Sequence, residues 1–108
     1  MQIYFKGTTN KDYTAVNTAD FILKNGTKIT VDRNQTAVDD NEDGTFTMVW
    51  YDCYLWSIND CNLFYEGAKI EDTHEFKSLI KGADLKINLD EDTDEDYKVT
   101  ILAWSVRE

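Results

Sequence analysis

The sequence predicts an α+β fold, mostly antiparallel β-sheet with one short helix. Three observations carry that expectation. Short runs rich in β-branched and aromatic residues recur along the chain, separated by Gly, Asn and Asp. Asn25-Gly26 stands between two such runs, and this dipeptide tolerates the positive φ angles of a tight two-residue hairpin turn. A single stretch, residues 73–81, shows helical instead of alternating periodicity.

In chain order, Ile3, Tyr4 and Phe5 predict a first short strand ended by Gly7, and the polar stretch from Thr8 to Thr18 predicts a loop. Phe21 to Lys24 and Thr27 to Val31 are the arms of the hairpin at residues 25–26. Arg33 to Asp43 is polar and reads as a connection, after which Asp43-Gly44 opens the strand Thr45 to Tyr51. Tyr54 to Ile58 is expected to continue that strand past Asp52 through a bulge. Further hairpins are expected at residues 59–60 and 66–67. Asp72 and Glu75 have the spacing of a capping box, Phe76, Leu79 and Ile80 form one apolar stripe, and Gly82 suits a left-handed C-cap. The last two runs, Leu85-Ile87-Leu89 and Tyr97 to Val106, flank residues 90–96 and predict a fourth hairpin. The final run is apolar on both faces, which predicts a central strand.

The 108 residues fit a single domain, and 42% apolar content with three Trp, six Tyr and five Phe supplies a core. The net charge of -10 comes from 21 acids against 11 bases. Such a field repels nucleic acid and anionic membranes and attracts basic partners. The first residues lack the long apolar run of a secretory signal, so a cytoplasmic setting with reduced Cys53 and Cys61 is expected.

The densest charge is Asp90-Glu91-Asp92-Thr93-Asp94-Glu95-Asp96, six carboxylates in seven residues. Held on a rigid turn, they can enter a Lys- and Arg-lined groove built for the phosphate backbone and pair with its Arg side chains. Asp39, Asp40, Glu42 and Asp43 form a second acidic cluster that strengthens this expectation if it shares a face with the first. That cluster has a calcium alternative, because Asp39, Asn41 and Asp43 with Gly44 open like a calcium loop. The twelfth position, however, is Trp50 where the loop needs a bidentate Glu. Cys53, Cys61 and His74 lack the paired spacing of a zinc site, and a Cys–His nucleophile pair would require His74 to fold over one thiol. No phosphate-binding loop, nucleophile elbow or kinase signature occurs. The expectation is a non-enzyme with no catalytic residue, metal or cofactor. Tyr51, Tyr54, Trp50, Trp56, Phe64 and Tyr65 are expected mostly in the core, with some of them rimming a contact surface beside the acids.

In size, acidity and the acidic segment at residues 90–96, the chain resembles the small acidic inhibitors of phages and mobile elements, and among them the anti-CRISPR proteins. That resemblance implies a Cas9-type target whose basic, Arg-lined site for the protospacer-adjacent motif is filled by DNA mimicry. The residues themselves argue only for a basic, nucleic-acid-binding protein partner. The alternatives are an immunity protein or antitoxin against a basic nuclease, a calcium-binding structural domain, and a small hydrolase.

Overall fold

A computed structural model describes residues 1–10, 15–58, 68–69, 73–93 and 95–108. It is built mostly of antiparallel strand: β1 (Gln2–Thr9), β2 (Val16–Ile22), β3 (Lys28–Asp32), β4 (Gln35–Asp40), β5 (Phe46–Tyr51), β6 (Tyr54–Ile58), β7 (Ala68–Lys69), β8 (Asp84–Leu89) and β9 (Val99–Arg107), with one helix, α1 (Thr73–Leu79), before β8. The strands form a four-stranded sheet in the order β4-β5-β1-β9 and a five-stranded sheet in the order β7-β6-β3-β2-β8.

Alternation decides which side chains meet between the sheets. Ile3 and Phe5 of β1 and Phe46, Met48 and Trp50 of β5 are buried, as are Ala19 and Phe21 of β2 and Ile29 and Val31 of β3. All belong to one apolar cluster. The Phe21 ring meets Trp104 of the other sheet edge-on at 5.1 Å and Phe76 of α1 at 5.8 Å, so helix and sheets share that core. Arg33 fastens the margin: its guanidinium lies 4.8 Å from the Trp50 ring centroid and donates to the carbonyls of Val16 and Asn17.

Several expectations are corrected. β1 runs through Gly7 to Thr9, because an irregularity at Lys6/Gly7, where Leu102 is the extra residue on β9, keeps both strands paired. Val16, Asn17 and Thr18 belong to β2, not to a loop, and the polar stretch after Arg33 contains β4, an exposed edge strand in which polar residues are tolerated on both faces. β5 does not continue into β6. Asp52 takes φ 50 between them, and the two strands lie in different sheets. The connection at residues 25–26 is a three-residue loop: Gly26 N donates to Leu23 O, Leu23 N donates to Thr27 O, and Gly26 has φ 90. The helix ends at Leu79, short of residue 81; Phe76 and Ile80 are buried, but Leu79 is 53% exposed. Gly82, at φ 77, supplies the expected left-handed residue after the helix. β9 is an edge strand, not a central one. The expected turns at residues 59–60 and 66–67, and the Asp72 cap, lie outside the described residues.

Candidate functional site: an acidic end of the four-stranded sheet

Residues 90–96 are not the tip of a hairpin. β8 pairs only with β2 and β9 only with β1, so the acidic segment carries the chain from one sheet to the other. Both sheets hold it. On the β2 side, Asp90 N donates to Ala15 O at 2.8 Å, and Thr93 N donates to Asp90 O at 2.9 Å to close a turn. On the β1 side, Asn10 acts as a clasp: its Nδ2 donates to Asp96 O and its Oδ1 accepts from Lys98 N at 2.8 Å. Tyr97 is buried between them. Asp90, Glu91, Asp92, Glu95 and Asp96 are all exposed, and Asp94 lies outside the described residues.

The second cluster belongs to the β4–β5 hairpin. Asp39 and Asp40 close β4, and Glu42 and Asp43 lie in the connection, where Asn41 N donates to Thr45 O. Polar side chains shape that turn. Asp43 Oδ1 accepts from both Thr45 N and Thr45 Oγ1, Asp40 Oδ1 accepts from Glu42 N, and Asn41 bonds to Thr45 and Thr47. Glu42 (φ 64) and Gly44 (φ 89) supply the left-handed backbone it requires. The bonds from Thr45 hold the Asp43 carboxyl below the ordinary carboxylate value, with a smaller pull from Lys6.

Register brings the two clusters together. Asp40 lies opposite Phe46, Phe46 opposite Gly7, and Gly7 opposite Ile101, so one rung crosses all four strands. The hairpin connection projects beyond that rung from β4 and β5. On the other side, the pairs Thr8–Thr100 and Thr9–Val99 lead directly to residues 90–98. Both clusters therefore occupy the same end of the sheet. β5 and β9 are separated by β1, about 10 Å at two strand spacings.

The calcium alternative draws on Asp39, Asn41 and Asp43, which the hairpin engages in its own bonds. Asp39 and Asp40 sit in a paired strand and point to opposite faces, and Asp43 is turned onto Thr45. No three acidic, His or Cys side chains are grouped to hold a metal among the described residues. Cys53 is buried, its thiol lies 3.6 Å from Trp50 O, and burial pushes its pKa up to about 12, which keeps the thiol protonated at neutral pH. His74 is exposed on α1, and Cys61 lies outside the described residues. Of the aromatics expected mostly in the core, Trp50 is fully buried, whereas Tyr51, Tyr54 and Trp56 retain exposure, and Phe64 and Tyr65 lie outside the described residues. Asn10, which the sequence reading passed over, is the residue that positions the acidic segment; its sequence context, a polar stretch, carried no signal.

No helix among the described residues is long and apolar enough to cross a membrane. Comparison with protein-family models, curated proteins and solved structures finds no match.

Proposed function

We propose that the chain is a binding protein whose acidic end occupies the basic nucleic-acid groove of a protein partner and competes with the nucleic acid for it. The observation that carries this is the convergence of Asp39, Asp40, Glu42 and Asp43 with Asp90, Glu91, Asp92, Glu95 and Asp96 at one end of the β4-β5-β1-β9 sheet. These carboxylates are exposed and mounted on hydrogen-bonded turns. Their backbone positions are thus set before binding, and less ordering is required on association. The separation across this end is comparable with the ~12 Å width of a DNA major groove. Carboxylates so spaced suit Arg and Lys side chains arranged for phosphates. Resemblance to anti-CRISPR proteins makes a Cas9–guide complex the first target to test.

The test is DNA competition with Cas9–guide complexes of several subtypes at low and physiological salt. Loss of DNA binding that weakens as salt rises supports the proposal, since steering between opposite charges is screened. Blocked cleavage with intact DNA binding would remove mimicry. No effect on any complex would remove the Cas9 target, and capture of a basic nuclease toxin would then favour an immunity protein.

A further inference from the structure

The outward face of the four-stranded sheet carries charge of the opposite sign. Two rungs can be read across it from the register, Asp39–Thr47–Lys6–Ala103 and Ala37–Val49–Tyr4–Ser105, and the pairs Gln35–Tyr51 and Gln2–Arg107 follow them along the strands. Asp39 is the only carboxylate on that face of the four strands, and it stands two strands from Lys6. A groove of about 200 Å³ crosses β1 and β9 here, lined by Tyr4, Lys6, Thr47, Ala103, Ser105 and Arg107. In a chain with ten more acids than bases, the titratable charges lining this groove are two cations. No ion pair among the described residues takes up either one, although Lys6 stands near enough to Asp43 of the neighbouring turn to pull on its carboxyl.

Arg107 is also oriented. Its guanidinium carbon sits 4.0 Å from the Tyr4 ring centroid, and Tyr4 Oη donates to Gln2 Oε1 at 3.2 Å. A guanidinium lying over an aromatic face can present N–H groups to an anion, and two of them can fork onto two of its oxygens. This contact places it on the rung of Tyr4, between its own pair with Gln2 and the rung of Lys6. The Ser105 hydroxyl adds a donor beside the two cations, while that of Thr47 is donated to Asn41 Oδ1.

We infer that this groove is a binding site for a tetrahedral oxyanion, namely a phosphate group, held between Arg107 and Lys6. A phosphate matches the donor set better than a carboxylate, because it offers more acceptor oxygens and up to two negative charges. The inference is independent of the partner proposed for the acidic end.

Inorganic phosphate is the probe, titrated into the labelled protein at constant ionic strength in chloride and followed by amide NMR shifts. Saturable shifts are expected at Tyr4, Lys6, Thr47 and residues 103–107. Arg107→Gln should weaken binding by about tenfold or more, the effect of losing a charge-assisted bond, and Lys6→Gln several-fold. Both side chains are exposed, so the variants retain the fold, which unchanged shifts in β2 and β3 would verify. Shifts that grow without saturating, an equal response to acetate, or wild-type affinity in Arg107→Gln would each overturn the site.

Discussion

Gly7→Ala tests the rung on which both acidic clusters depend. A Cβ at Gly7 would lie 2.4 Å from Thr100 O, 3.1 Å from Phe46 Cζ and 3.2 Å from Ile101 Cδ1. The first contact is about 1 Å shorter than a normal C···O approach, and a backbone carbonyl cannot rotate away as a side chain can. β9 must therefore move off β1, beside the irregularity at Lys6/Gly7. Overpacking of this kind costs about 1–3 kcal/mol, and each ladder bond stretched beyond use adds about 1 kcal/mol. We expect a loss of about 3 kcal/mol, or a fall in Tm of about 12 °C for a domain of this size. Thermal and urea unfolding followed by circular dichroism would measure it. Gly26→Ala is the control: nothing lies within 4 Å of its Cβ, and only its φ of 90 opposes the change. It should cost about 1 kcal/mol. A Gly7→Ala protein as stable as the parent would refute the pairing of β1 with β9 at this rung.

Three further outcomes follow from the same structure. Asn10→Ala removes the clasp on the acidic segment; amide exchange at Lys98 should rise about fivefold, the effect of about 1 kcal/mol, while core strands keep their protection. Asp43 should titrate below the ordinary carboxylate value in carboxyl NMR, and Thr45→Ala should return it toward that value. Its folded-state value is depressed, so its contribution to stability is present above the unfolded value near 3.8 and is lost as pH falls through the lower folded one. Cys53 has the opposite displacement, from 9.0 to about 12. Between those values the unfolded chain loses a proton that the folded chain keeps, so stability should fall as pH rises. In the folded protein Cys53 should resist alkylation at pH 8, as peptide mass mapping would show.

The antiparallel strands and the short helix were legible because alternation and the Phe76–Ile80 spacing report directly on burial. Elements that spend little apolar surface were not. β4 is exposed at Gln35, Thr36, Ala37, Asp39 and Asp40, and its place is fixed by hydrogen bonds to β5, which leave no hydrophobic pattern in the sequence. Leu102 misled in the other direction. An apolar residue on the second face of the last run suggested a central strand, but it is the extra residue opposite Lys6/Gly7 and is 58% exposed on an edge.

The acidic segment shows why composition located the candidate site while misreading its shape. Strand-like runs on both sides of a charged stretch look the same whether the strands pair with each other or with different neighbours. Length separates the two cases. Nine residues lie between Leu89 and Val99, more than the two to five of most hairpins. At up to about 3.3 Å per residue they easily span the ~10 Å between packed sheets. Leu85, Ile87 and Leu89 pack from β2's side of the core, and Val99, Ile101 and Trp104 from β1's. The crossing must therefore occur at residues 90–98, and a surface crossing is best made from residues that lose nothing by staying in water. Because each sheet holds one end of the segment, its carboxylates are positioned by the core itself. A free hairpin tip would have no tie to Asp39 to Asp43; this bridge is anchored at Asp90, Asp96 and Lys98, beside the rung that joins Ile101 and Gly7 to Phe46 and Asp40.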